Sequence, residues 1–406
     1  MSSPESFDVV VIGAGIVGLA TARALTRTRP IELTVLETEN RTAAHQTGNN
    51  SGVLHSGLYY RPGSKKAELC GRGRRTMEEY CDEHSIPFER CGKVVVATDE
   101  AQVPALEELE RRGKANGLDH VEKLDTVGLA EREPHLRGVA GLFVGDTGIV
   151  DYKEVARAMA REIEAAGSPV QLTRPVGAIE REGDGYRLST PAGEVRAKAL
   201  VNCGGVQADR IARRAGLRPS SRIVPFRGEY KMLREDRRSL VRNLIYPVPD
   251  PRFPFLGVHF TRAIDGGVEA GPNAVLALAR NGYRWRDVNL RDLWDMGTFT
   301  GFWRMGMRYW RTGFGEMHRS LSHGAFTRAL QGLIPELRGE DLVAGGAGVR
   351  AQVMDPDGTI ADDFRFMEGP NALHVLSAPS PAATASLAIG EEIAERAARL
   401  FGWPSN

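Results

Sequence analysis

The sequence predicts an α/β fold in two lobes, one built on a parallel sheet and the other an α+β lobe with a mostly antiparallel sheet. Three observations predict it. The chain opens on a short apolar strand that runs straight into a glycine-rich turn and a helical pattern over residues 7–27. Buried-strand patterns ending in small-residue turns return far downstream, at residues 199–205 and 371–379. Between these, residues 86–149 and 221–339 are dense in strand patterns separated by turns. Residues 1–85, 150–220 and 340–406 are therefore assigned to a discontinuous Rossmann-like lobe, and the two stretches between them to the second lobe.

Residues 7–12 form the opening strand, followed by Gly13-Ala14-Gly15-Ile16-Val17-Gly18 and the helical LATARALTR. Strand, G-x-G-x-x-G and helix stand in the order a dinucleotide site requires. Gly13 permits the tight turn, Gly15 lets a pyrophosphate approach the backbone, and Gly18 lets the helix pack against the strand. Ile16 and Val17 then sit in the helix N-terminus that meets the phosphates. A second strand, residues 32–36, ends at Glu37, about 20 residues past the turn, where a carboxylate accepts hydrogen bonds from the adenosine ribose. FAD is favoured over NAD because the fingerprint lies at the extreme N-terminus and further segments of this type return late in the chain.

In the second lobe, residues 92–98, 223–233, 255–261 and 267–271 read as strands. The proline cluster PVPDPRFPF at 247–255 reads as a rigid loop. His259 alternates with Val258 and Phe260, so if those two face the core, His259 faces a cavity. Residues 283–317 read as a helical insert. Phe299, Trp303, Met307, Trp310 and Phe314 form an apolar stripe at helical spacing, flanked by Arg304, Arg308 and Arg311. The plain expectation is that the stripe packs on the sheet. A basic amphipathic helix lying on an anionic membrane is the alternative.

Composition narrows the function classes. The 406 residues, 42% hydrophobic and 26% charged, carry a net charge of +1, which offers no case for nucleic-acid binding. Cys70, Cys81, Cys91 and Cys203 make no C-x-x-C pair and no Cys/His ligand spacing, so neither a metal site nor a disulfide framework is expected. The apolar run at residues 9–20 is preceded by Glu5 and Asp8 rather than a basic segment, and it is too short to span a bilayer. Cytoplasmic residence is the expectation, with the inner face of the cell membrane as a possible peripheral address.

The stretch HQTGNNSGVLHSGLYYRPGSKKA at 45–67 resembles the L-2-hydroxyglutarate oxidase/dehydrogenase family, a flavin branch related to D-amino acid oxidase and glycerol-3-phosphate dehydrogenase. The resemblance continues in order through CGKVVVAT, GIVDY, PFRGEYKML, YPVPDP, PFLGVHFTR, AGVRAQVMDPDG and APSPAATASLAIG, so it covers nearly the whole chain. Asn49 and the Lys65-Lys66 pair are small departures. The resemblance implies FAD and oxidation of L-2-hydroxyglutarate to 2-oxoglutarate, with quinone or oxygen as acceptor. Some relatives attach FAD through a histidine, for which His45 or His55 would be the candidate, but noncovalent FAD is the expectation here. It implies that Gln46, Thr47, Asn50, Ser51, Gly52 and Val53 line the cofactor. Cys203, Gly204 and Gly205 match a second nucleotide-contacting turn, and Val176 matches a position whose backbone meets the adenine. Pro381, Ala382, Ala383 and Thr384 are expected to open a helix whose N-terminus faces the flavin C2 carbonyl.

Oxidising a 2-hydroxy acid needs hydride transfer, removal of the hydroxyl proton and groups that fix the carboxylates. His259 is favoured as proton acceptor, because related enzymes place a histidine on the equivalent strand, with His55 as a flavin-side neighbour. Arg350 and Arg227 are the candidates for the two carboxylates. Arg227 has a rival role as the ion partner of Glu229. Tyr59, Tyr60 and Lys66 are further donors, and a tyrosine at 59, where the glycerol-3-phosphate enzymes have arginine, argues against a phosphate substrate. Oxidation of another 2-hydroxy acid or an amino acid is the rival activity. A non-catalytic flavin-binding redox module is the rival of another class.

Overall fold

The computed structural model describes residues 4–249 and 257–403. The opening strand, Glu5–Ile12, lies parallel to both Leu33–Leu36 and Gly193–Asn202 in an eight-stranded sheet. Val9 and Val11 face one core together with the helices Ile16–Thr28, Tyr152–Ala165 and Ser386–Leu400. Val10 and Ile12 face a second core with Ile179, Leu188 and Ile211. Burial on both faces is why this strand is a continuous apolar run rather than an alternating one. Late in the chain, Ala372–Ser377 adds beside the end of Gly193–Asn202, also in parallel.

The second sheet has nine strands. Arg222–Leu233 pairs with Val268–Gly271, which pairs with His259–Arg262 and then Leu244–Pro247. Leu244–Pro247 runs parallel to Lys93–Ala97, beyond which lie Ala140–Val144 and Val121–Leu124. Val94, Ile245, Phe260 and Ala270 turn to one face, where Phe326 and Leu330 of the helix His323–Gln331 cover them. The alternation of a strand then puts Lys93, Tyr246 and His259 on the other face.

Some expectations shift. Strand 255–261 is seen from His259 onward, and residues 250–255 of the proline cluster lie outside the described residues. Leu342–Met354, within the segment assigned to the first lobe, pairs antiparallel with Arg222–Leu233 and so extends the second sheet. The expected helix start at Pro381 falls short: residues 380–385 are turns, and the helix is Ser386–Leu400. Ala382 N–H donates to the Pro379 carbonyl and Ala385 N–H to the Pro381 carbonyl, winding the chain before the helix proper.

The insert is helical at Leu290–Gly297 and Thr300–Leu321, but its stripe does not pack on the sheet. Phe299 is buried, whereas Trp303, Met307, Trp310 and Phe314 are 55–72% exposed. The sheet side is taken by Phe302 and Met305, which pack toward Phe226 and Met354, and by Glu316, which accepts from Ala274 N–H. Periodicity shows that an apolar face exists and is silent on what covers it.

Candidate active site

The glycine turn is held by contacts that exclude any side chain. A Cβ on Gly13 would stand 2.7 Å from the Cys203 carbonyl oxygen, and one on Gly18 would stand 2.0 Å from the Gly13 oxygen. Gly13 also takes φ +107°, a region open to glycine. Gly15 differs, since the nearest atom to its Cβ would be Thr47 Oγ1 at 3.4 Å, and the space in front of it is free for a ligand. Ile16 N–H donates to Thr47 Oγ1 at 3.0 Å, and Val17 packs partly on the core. Glu37 accepts from Ala14 N–H at 2.7 Å and from Glu39 N–H at 2.9 Å, one at each carboxylate oxygen, leaving lone pairs for ribose hydroxyls. Glycine turn, open helix end and strand-end carboxylate fit a dinucleotide.

The second turn is built by residues that the sequence did not single out. Asn202 accepts from Gly204 N–H at 3.0 Å, donates to the Ala208 carbonyl at 2.8 Å and meets His374 Nδ1 at 2.9 Å. Cys203 donates its N–H to Ile12, and Gly205 takes φ +52° with Gln46 Oε1 beside it. Val176 is buried, and its carbonyl accepts from Arg214 at 2.6 Å.

Segment 46–55 is folded by its own polar groups. Asn50 donates to the Gln46 and Thr47 carbonyls and accepts from Gly52 N–H. Gly52 takes φ +67° against the Val150 carbonyl, Ser51 is half-buried, and Val53 pairs with Ile149. The Thr384 hydroxyl is fully buried and serves the protein itself. It accepts from His55 N–H at 3.1 Å, faces the Val53 carbonyl at 3.1 Å and bonds the Tyr152 hydroxyl at 3.0 Å. Ala382 and Ala383 pack partly on the core that holds Leu54, and Pro381 is buried beside them.

Facing this segment is the polar side of the second sheet. The His259 ring is buried, stacks on Tyr246 with centroids 4.0 Å apart, and bonds the Gly257 carbonyl through Nδ1 at 2.9 Å. A carbonyl only accepts, so Nδ1 carries the proton and Nε2 keeps a lone pair. Burial lowers the His259 pKa to about 4, and the Arg350 and Lys93 charges add to the fall. His55 is lowered further, to about 3, by burial and by the charges of Lys93, His259 and Lys66. Burial raises the Tyr59 and Tyr60 phenols well above their ordinary range. Tyr59 Oη has no partner, and Tyr60 bonds Ser380. Lys66 lies 5.2 Å over the Tyr60 ring and donates to Asp362. Arg350 bonds Tyr230, whose phenol burial also raises.

Arg227 has partners of its own. It is buried, bonds Glu229 at 2.9 Å and lies 4.3 Å over the Trp285 ring. Its charge is thus paired within the protein, the rival role expected for it, although its buried Nε has no partner. Lys93, Tyr246 and Tyr230 are the residues sequence reasoning passed over; the signal for Lys93 was a lone cation in the apolar strand KVVVA. Among the described residues no group of three His, Cys, Asp or Glu side chains could hold a metal, and all four cysteines are free.

A dinucleotide cradle opposite a buried, neutral histidine is the arrangement of a redox enzyme that works through a bound nucleotide cofactor. The chain belongs to the DAO family, described as FAD dependent oxidoreductase, whose pattern matches residues 8–396. It is 49% identical over 397 residues to L-2-hydroxyglutarate dehydrogenase of Indibacter alkaliphilus, covering 97% of this chain and 100% of that protein. It is 42% identical to the enzyme of that name from Escherichia coli K12, covering 98% and 95%, and 42% identical to the mitochondrial enzyme of Homo sapiens, covering 98% and 90%. Among solved structures, FAD-bound L-alpha-glycerophosphate oxidase from Mycoplasma pneumoniae superposes with a TM-score of 0.79 at 21% identity, covering 98% and 96%. Glycine oxidase from Geobacillus kaustophilus gives 0.70 at 20%, covering 97% and 95%. FAD is the cofactor, and the glycine turn, Glu37 and the Cys203–Gly205 turn are the residues that fit it.

Proposed function

We propose that this enzyme oxidises L-2-hydroxyglutarate to 2-oxoglutarate. The observation that carries the reading is His259, buried and neutral, with an Nε2 lone pair within the field of the Arg350 charge. The names of relatives 42–49% identical over nearly the full chain support the choice of substrate. Bound FAD supplies the two-electron acceptor for the hydride leaving C2. His259 takes the hydroxyl proton at Nε2, while the Gly257 carbonyl holds the ring in place. Arg350 holds the carboxylate next to C2. The two negative charges of the substrate offset the cations that depress His259, lifting its pKa when a proton must be accepted. Tyr60 and Lys66, whose ammonium lies 5.2 Å over the Tyr60 ring, are further donors to the substrate.

The test is an anaerobic visible spectrum with L-2-hydroxyglutarate, D-2-hydroxyglutarate, L-lactate and L-alanine. Bleaching by the L dicarboxylate alone is expected. Bleaching by lactate or alanine instead assigns another substrate, and a flavin untouched by all four leaves only a binding module.

Electrons then pass to a quinone or to oxygen, with the enzyme on the inner face of the cell membrane, where a quinone is within reach. Supporting this is the outer face of the insert, where Leu290, Trp294, Trp303, Met307, Trp310, Phe314 and Leu321 are 55–80% exposed beside Arg304, Arg308 and Arg311. No helix among the described residues is long and apolar enough to cross a membrane, so contact would be peripheral. Co-sedimentation with vesicles containing anionic lipid is expected, and Trp303→Ser with Trp310→Ser should abolish it. Equal recovery of wild type and variant from the supernatant would refute the membrane contact.

A further inference from the structure

The site must hold two carboxylates, yet Arg227 is paired with Glu229. We propose that Lys93 is a substrate-binding residue, receiving the carboxylate remote from the reacting carbon and so setting the preference for a dicarboxylate over a monocarboxylate 2-hydroxy acid. This rests on the reading of the substrate given above.

Lys93 opens the strand Lys93–Ala97 and pairs in register with Leu244, on the sheet face that carries Tyr246 and His259. It is 2% exposed. Its ammonium lies 4.5 Å from the centre of the Tyr59 ring and 5.2 Å from that of Tyr246. Among the described residues no carboxylate pairs with it, and the nearby Tyr59 Oη, also buried, has no partner. A buried ammonium loses most of its hydration, a loss that two ring faces offset only in part. A cation and an orphaned phenol at one place form a receptor for an anion, one giving charge and the other a hydrogen bond.

The assignment of ends follows from His259. Leu244–Pro247 lies between the strands of His259 and Lys93, and its Tyr246 ring stacks on His259 at 4.0 Å while the Lys93 ammonium stands 5.2 Å from it, so Lys93 is set one strand beyond the proton acceptor. The Arg350 charge also acts on His259 more strongly than that of Lys93. The carboxylate on C2 lies beside the hydroxyl that His259 deprotonates, so it falls to Arg350, and the far carboxylate falls to Lys93. His55, which feels Lys93 as its strongest charged neighbour, marks the same end of the site. Burial lowers the Lys93 pKa to about 8, so the cation is present at neutral pH and lost above it.

The holoenzyme and its Lys93→Met and Lys93→Arg forms are compared on L-2-hydroxyglutarate and L-2-hydroxybutyrate by anaerobic flavin reduction. Binding of glutarate and butyrate is followed by the perturbation of the flavin spectrum. Lys93→Met is expected to lose about 100-fold in kcat/KM on the dicarboxylate, chiefly in KM, with a parallel loss of glutarate affinity. On L-2-hydroxybutyrate the change should stay within about 3-fold, and Lys93→Arg should recover part of the loss. Equal losses on both substrates, or unchanged glutarate binding, would overturn the proposal. Should Lys93→Met not retain FAD, the wild-type pH profile decides. KM for L-2-hydroxyglutarate should rise above pH 8 while that for L-2-hydroxybutyrate stays level, and a level KM for both refutes the role. Wild-type flavin that L-2-hydroxyglutarate does not reduce would fell the substrate reading itself, a result separate from any behaviour of Lys93.

Discussion

His259→Asn is expected to slow flavin reduction by L-2-hydroxyglutarate by about 1,000-fold while leaving FAD content unchanged. Asparagine can still donate to the Gly257 carbonyl and sit against Tyr246, so the packing of the strand survives. What it lacks is a basic nitrogen. The loss should appear in the rate of bleaching at saturating substrate, since a proton acceptor acts in the transition state more than in binding. In the free wild-type enzyme His259 is held near pKa 4, chiefly by burial. It is therefore neutral and active at neutral pH, and on the acid side kcat/KM should fall only as pH drops through about 4, when the ring gains a proton. Stopped-flow reduction checks both points. A His259→Asn enzyme within a few-fold of wild type, with His55→Asn inactive, would move the proton to His55.

Gly18→Ala should yield protein without FAD, and unstable protein at that. Its Cβ would lie 2.0 Å from the Gly13 oxygen, a backbone atom inside the turn that cannot yield without opening it. Such an overlap in a packed region costs on the order of 3 kcal/mol, and here it also displaces the helix end that would meet the pyrophosphate. Gly15→Ala is the informative partner. Its Cβ has open space apart from Thr47 Oγ1 at 3.4 Å, so the fold and melting temperature should survive while FAD binding weakens. Flavin absorbance of the purified variants, with thermal melts, separates the two. Equal stability and equal FAD content in both would mean that the turn does not press on the cofactor.

The two halves of the site were not equally legible in the amino-acid order. The nucleotide cradle is written in one contiguous stretch. Strand, turn and helix follow one another between Glu5 and Thr28, and the residue types are dictated by backbone geometry that any neighbour must respect. The alternation at residues 258–260 likewise reports which side chains share a face, because successive residues of a strand point oppositely whatever surrounds them. The substrate side is different in kind, since its meaning lies in pairings between distant segments.

Arg227 and Arg350 look alike as candidates in one dimension. Pairing of Arg222–Leu233 with Leu342–Met354 leaves Arg227 against Glu229, while Arg350 meets Tyr230 near His259. Thr384, read as a flavin contact, spends its hydroxyl on Val53, His55 and Tyr152, hundreds of residues upstream. Lys93 gains significance only when Leu244–Pro247 and the Tyr59 loop close around it.

Order along the chain by itself determined the dinucleotide turn, its acidic strand end and the alternating faces of the strands, because these follow from short-range sterics and periodicity. Tertiary structure alone decided that Arg227 pairs with Glu229, which hydroxyls are consumed by the fold, and that the tryptophan stripe faces outward. Those outcomes turn on desolvation and on partners brought together from separate parts of the chain, and no local pattern encodes them.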